Sequence, residues 1–249
     1  MTKSLPKKLK SDAIVEAVLE LRFEPDSSSV PEIIFGRFAD VEVWRGFKQA
    51  RLPTADIPAP IRRADAGLRY QPSIELVSPE GSVSIRIGPQ VIAYSRRSNY
   101  PGWGVFSDEL QTVAKHLYRV IPNVHVSRIG LRYVNALRSD IHGINNFFDM
   151  DITVCVAGED LKSSLNLNFK STVSASLESM SRIASADFAQ GSIPEKTTVI
   201  VDIDVYTKSS FSAQNVDDVI ECIEDAHDKE KEQFFKVLGK EATDRLRED

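Results

Sequence analysis

Between residues 163 and 178 the chain alternates apolar and polar side chains more strictly than anywhere else. Leu165, Leu167, Phe169, Val173, Ala175 and Leu177 take the odd positions. Asn166, Asn168, Lys170, Thr172, Ser174, Ser176 and Glu178 take the even ones. A period of two sends the two sets to opposite faces of an extended chain. One dry face and one wet face is the mark of an antiparallel sheet, because parallel strands are covered on both sides and read as continuous apolar runs.

Other segments follow the same rule. In 14–23, Val15, Ala17, Leu19, Leu21 and Phe23 share a face, and Ile14, Glu16, Val18, Glu20 and Arg22 share the other. Strands are expected at 68–77, 82–88 and 91–96, with Ser78–Gly81 as a turn and Pro89-Gln90 as a break. A long strand is expected at 124–137, where Ile129, Leu131, Tyr133 and Leu137 oppose Val126, Arg128, Gly130, Arg132 and Val134. The alternation at 148–156 predicts another, 180–189 continues the 163–178 pattern more weakly, and 197–207 completes the set. A turn at Pro25–Ser29 and a short helix around 31–40, with Pro31 in its first turn, fall between the first two strands. Trp44 and Phe47 mark a second short element, and the proline-rich stretch 51–67 reads as a long connection.

Two stretches have helical spacing instead. Val105, Leu110, Val113, Leu117 and Val120 predict a helix over 104–121, with Ser107 and Asp108 near its start. Val216, Ile220, Ile223, His227, Phe234 and Leu238 predict a longer one over 215–238, capped by Asn215, with a break or second helix at Gly239. The fold class is therefore α+β: mainly antiparallel, curved sheet packed on two long helices. Each half closes a run of strands with a helix, which hints at a duplicated unit, although no repeated motif accompanies it. The expected organisation is a flexible basic tail over 1–12, an N-terminal α+β half over 13–138 and a C-terminal half over 147–249, the two halves being separate or continuous.

Charge divides along the chain as well. Residues 1–148 carry a formal charge of +5 and residues 149–249 carry −10. Two solvated faces, or two surfaces for different partners, are both consistent with this. The chain has 249 residues, 42% of them hydrophobic, so it can build a core without staples. Its two cysteines, Cys155 and Cys222, form no motif and read as reduced structural thiols. No window is apolar enough to span a bilayer. The start of the sequence lacks the pattern of a signal peptide, so a cytoplasmic location is expected.

Three segments, Asp12–Phe23, Ser127–Leu137 and Ala226–Phe235, together resemble a sporadically distributed bacterial family of about this length with no assigned function. The sharpest part is Arg-x-Gly-Leu-Arg-Tyr-x-Asn at 128–135. The patchy occurrence of such a family implies an association with mobile or defence-related loci, and implies no chemistry.

Candidate sites come from charge on strand faces. Arg128 and Arg132 project from one face of one strand; Glu16, Glu20 and Arg22 project from one face of another. If the strands are neighbours, these five residues form a cross-strand charge network. The functional alternative is an anion-binding floor made by the two arginines. Asp202 and Asp204 share a face and are either a solvated or Lys-paired strand face or two ligands of a cation with no third. His227 lies on an apolar stripe and reads as a core or rim histidine.

The strip from 45 to 100 holds nine basic residues against four acids. Arg45, Arg62, Arg63, Arg69, Arg96 and Arg97, with Trp44, Tyr100 and Trp103, make a candidate surface for a protein partner or for single-stranded nucleic acid. No catalytic, cofactor-binding or metal-ligand signature is present in the sequence, so no catalytic residue, cofactor or metal is assigned. The expected role is a non-enzymatic interaction or regulatory subunit, antitoxin-like or accessory to a defence or mobile locus. Its partner is another protein encoded nearby or a second copy, with no membrane involved. The alternatives are a nucleic-acid-binding regulator using 45–103, and a small-anion sensor or unrecognised enzyme around Arg128 and Arg132.

Overall fold

The computed structural model describes residues 6, 8–24, 34, 36–38, 42–121, 123–160, 164–189 and 192–248. The turn expected at Pro25–Ser29 lies outside them, as does most of the helix expected around 31–40. Of that helix, Ile34 and Gly36–Phe38 are described and helical.

Nine strands form one antiparallel sheet that does not close into a barrel, as the alternating segments require. They are β1 (Ile14–Glu24), β2 (Lys48–Arg51), β3 (Ile74–Val77), β4 (Val83–Gly88), β5 (Val91–Arg97), β6 (His125–Arg138), β9 (Asn166–Thr172), β10 (Leu177–Ser185) and β11 (Thr197–Thr207). Their order is β2-β3-β4-β5-β1-β6-β11-β10-β9, so β1 sits in the middle. β7 (Cys155–Val156) and β8 (Glu159–Asp160) make a separate two-residue ladder. The long helices are α1 (Trp103–Val120) and α2 (Val216–Leu238), and α3 (Lys240–Leu246) follows. The chain divides into two compact units, neither of them continuous: Met1–Glu16, Arg132–Val205 and His227–Asp249 in one, Ala17–Leu131 and Tyr206–Ala226 in the other.

In the unit containing α1, β2 to β5 form a meander in which Glu75 lies opposite Arg86 and Ile85 opposite Tyr94. Ala17, Leu19, Leu21 and Phe23 of β1 are fully buried, so period two sets the dry face there. α1 buries Phe106, Leu110, Val113, Ala114 and Leu117. Each large side chain of that stripe stabilises by about 1.5–3 kcal/mol relative to exposure. Val105 was expected on this stripe but is 52% exposed, since 105 falls outside the 106-110-113-117 line. The helix starts at Gly102, whose φ of +86° no other residue adopts easily, and has no side-chain cap. Ser107 is instead buried and donates to Glu224. The connection at 51–67 contains short helical turns, Pro53–Asp56 and Ala59–Ala64, with another at Ala66–Arg69.

In the other unit the 163–178 alternation proves to be two strands. β9 and β10 pair as a hairpin, with Thr172 opposite Glu178. The turn is hidden inside the regular pattern: the Ser174 hydroxyl accepts from the backbone of Ser176 and Leu177, which folds the chain without disturbing its parity. The strand expected at 148–156 is mostly absent. Asn146 accepts from the Phe148 amide and opens a 3₁₀ turn at Phe147–Asp149, leaving only Cys155–Val156 extended. In the segment expected as a mobile tail, Leu9 is buried and bridges Arg247, and Lys10 donates to the Leu246 carbonyl.

α2 is capped as expected, Asn215 Oδ1 accepting from the Asp218 amide. Between α2 and α3 stands Gly239, at φ +80°. A Cβ there would lie 2.6 Å from the Cβ of Asp151, so two constraints demand glycine.

Candidate functional site

The even-numbered side chains of β1 face away from its buried set, and they meet the arginines of β6. Glu20 Oε1 accepts from Arg22 Nε at 2.7 Å and from Arg128 Nη1 at 2.8 Å. Each guanidinium also covers a ring, Arg22 over Tyr70 at 4.9 Å and Arg128 over Tyr206 at 4.5 Å. Tyr70–Arg22–Glu20–Arg128–Tyr206 is therefore a continuous chain of charge and aromatic contacts, with its ionised members 21–33% exposed. Partial burial strengthens such contacts relative to open solvent.

Arg132 belongs to the other unit and has its own carboxylate. Its Nε and Nη2 donate to Asp202 Oδ1 and Oδ2 at 2.7 and 2.6 Å. The hydrogen bond to Asp202 raises the guanidinium's pKa, burial opposes this, and the charges of Asp202, Glu16 and Asp204 add to it. Asp202 is 8% exposed and oriented by this fork, which gives the carboxylate pair on β11 an arginine counter-charge.

The basic strip does not lie on one surface. Successive residues of β5 alternate: Arg97 turns to Glu75 at 3.1 Å, joining Arg86 at 3.0 Å, while Arg96 turns the other way to Glu109 of α1. Glu109 accepts from Arg96 Nε at 3.0 Å and from the Tyr94 hydroxyl at 2.9 Å. Burial, and then that carboxylate, pushes the Tyr94 pKa well up. Arg45 pairs with Glu42 and Arg51 with Asp56 in the open, Arg62 donates to the Ser73 hydroxyl, and Arg69 donates to the Arg63 carbonyl. Trp44 is a core residue, 7% exposed and packed on Phe38, Phe47 and Tyr94. Tyr100 and Trp103 both pack edge-on against Phe106, and Trp103 donates to Glu224. The aromatics of the strip mainly build the α1 packing.

His227 sits beside Tyr133, its Nδ1 3.4 Å from the hydroxyl. Burial, then the Lys231 charge, lowers its pKa to about 4, so it is neutral. One turn on, Glu230 is 5% exposed and its Oε1 is buried without a hydrogen-bond partner. Burial pushes its pKa up to about 8. The sequence signal for Glu230 was its place on the stripe, three residues after His227 and seven after Ile223, where an acid is out of character. Glu75 and Glu109, each serving two partners, gave no signal at all. Among the described residues no three His, Cys, Asp or Glu side chains group to hold a metal, and no helix is long and apolar enough to cross a membrane. Cys155 is exposed and free, and Cys222 is free with its pKa pushed up to about 12 by burial. No protein-family model matches the chain, and no curated protein matches it in sequence.

Proposed function

We propose that this chain acts by binding, as an interaction or regulatory subunit in the bacterial cytoplasm, and that its partner is a protein. The observation that carries this is the state of its arginines. Arg22, Arg86, Arg97, Arg128 and Arg132 each already hold a carboxylate. A catalytic or anion-sensing arginine keeps its fork open for a ligand, whereas matched pairs on a rigid sheet present ordered polar edges that select a partner by charge pattern. The resemblance to a sporadically distributed bacterial family adds the setting: an accessory or antitoxin-like component of a defence or mobile locus.

The test is co-expression with the products of adjacent genes, followed by size-exclusion chromatography with light scattering. The expected result is a stoichiometric complex, with a neighbour's product or with a second copy. The paired reversal Glu20→Arg with Arg128→Glu is expected to weaken it while leaving the melting temperature nearly unchanged. A monomer that turns over a small molecule, or one that shifts single-stranded nucleic acid in low salt only, overturns the proposal.

A further inference from the structure

The sheet ends in two edges that are built differently. β2, at one end, is four residues long, carries Lys48 and Arg51, and is followed closely by Pro53. Shortness, positive charge and proline are devices that keep an edge from pairing with another chain. Paired antiparallel with a copy of itself, β2 would set Lys48 against Arg51, which is unfavourable.

β9, at the other end, lacks these devices. It is seven residues long, contains no proline, and keeps an unbroken register with β10 from Asn166 opposite Ala184 to Thr172 opposite Glu178. Its one charged residue, Lys170, reaches back to Glu178 of β10 at 2.7 Å. Among the described residues no strand lies beyond β9. The Ser185 amide donates to the Leu165 carbonyl, and the Val173 amide donates to the Leu177 carbonyl. Odd positions therefore bond to β10, and the alternation of an antiparallel ladder turns the backbone of Asn166, Asn168 and Thr172 outward. The dry face also stops short here. Ile183, Ser181 and Ser179 of β10 are buried, whereas Leu167, Phe169 and Ser171, directly opposite them, are only half-buried.

Self-pairing suits this edge. An antiparallel copy of β9 overlaps it along its whole length only when Phe169 faces Phe169, since Asn166 then meets Thr172. That register sets Asn168 against Lys170 and Leu167 against Ser171, with no like charges opposed. Phe169 falls between the hydrogen-bonded pairs, where side chains of neighbouring strands come closest, so the two rings carry the dry face across the junction. The exposed side chains of Asn166, Asn168 and Thr172 offer no charge by which to select a different protein. The pairing is two-fold, uses the β9 edge once in each copy, and closes at two.

We propose that β9 is a dimerisation edge, through which two copies of this chain join their sheets by antiparallel β9 strands centred on Phe169. The inference rests on the reading that the chain acts by binding protein, and it names a second copy as the occupant of this edge.

The test follows the full chain, alone in solution, by sedimentation equilibrium over a concentration series. A reversible dimer of twice 27.8 kDa is expected. Hydrogen exchange at high and low concentration is expected to show the Asn166, Asn168 and Thr172 amides slowing as the dimer fills. Asn168→Lys opposes like charges at two symmetric places, and Asn168→Asp sets a carboxylate against Lys170 at both. The first is expected to weaken the dimer about threefold or more and the second to tighten it by a similar factor, both effects shrinking in high salt. Asn168 is exposed, so both variants are expected to fold. Asn168→Pro removes an outward N–H and is expected to leave a folded monomer by circular dichroism. The assignment is overturned by a monomer at every concentration, by a dimer indifferent to the charge at position 168, or by a dimer whose β9 amides exchange as fast as in the monomer. A monomer that still forms a complex with a neighbour's product overturns this pairing and leaves the binding role standing. A β9-paired dimer that turns over a small molecule does the reverse.

Discussion

Arg132 on β6 grips Asp202 on β11 through both ends of its guanidinium, in two parallel bonds of 2.7 and 2.6 Å. The Asp202 side chain is 11% exposed and that of Arg132 is 44%. The pair is half-desolvated, so its parts are not equivalent. Asp202→Ala leaves an arginine that can reach water, while Arg132→Ala strands a buried carboxylate. The expected losses are about 1–2 kcal/mol for the first and about 2–4 kcal/mol for the second. A double-mutant cycle by urea denaturation checks both; coupling near zero would count against the pair as a stabilising contact.

Two residues on one helix make stability depend on pH in opposite directions. Glu230 has its pKa raised to about 8. The native state therefore holds its proton longer than the unfolded chain does. The penalty is absent below pH ~4.5, grows as pH rises, and is complete above pH ~8. Glu230→Gln is expected to stabilise on the order of 2–4 kcal/mol at pH 9 and to do little at pH 4. Equal effects at both pH values would show that the carboxyl is not buried as described.

His227 works in the opposite direction. Its pKa is lowered to about 4, so the unfolded chain takes up the proton first. Its contribution is intact above pH ~6.5 and is lost as pH falls toward 4. His227→Phe is expected to flatten the acid limb of the stability profile between pH 6.5 and 4. An unchanged limb would place the acid sensitivity elsewhere.

Gly239→Ala combines a left-handed backbone with a Cβ 2.6 Å from Asp151 Cβ. A loss of about 3 kcal/mol or more is expected, against about 1 kcal/mol for Gly46→Ala, which has φ +88° but open space around it. Comparison of the two melting temperatures isolates the close approach from the backbone strain.

Glu109 receives Arg96 and Tyr94 together. Glu109→Ala is expected to cost about 2–3 kcal/mol, more than Glu42→Ala, whose fully open partner Arg45 contributes little. Comparable losses would show that burial adds nothing to the Glu109 contacts.

Much of the architecture was readable from parity. β1 announced itself because its apolar residues fall on one face and its charged ones on the other, and α1 and α2 because their stripes recur at 3.6. The readings that failed are local. At Ser174 a hydroxyl makes a turn that alternation cannot reveal, and at Asn146 a side-chain cap overrides a strand pattern. Charge partners were the least legible. Arg128 and Arg132 stood out, yet their carboxylates depend on which strands become neighbours, and Glu20 and Asp202 lie 108 and 70 residues away. The strip from 45 to 103 looked uniform in sequence. Alternation within β5 sends Arg96 and Arg97 apart, and packing under α1 draws Trp44 into the core.

The place of β1 between β5 and β6 has a consequence for the chain while it is being made. β1 obtains its second neighbour only when Arg138 has emerged, roughly 115 residues later. At 5–20 residues per second that is a wait of about 6–23 s. Until then a strand bearing Leu19, Leu21 and Phe23 has an open flank. The nascent protein is at its stickiest in that interval, and the yield of soluble product should depend on chaperone supply and translation speed more than the finished fold would suggest.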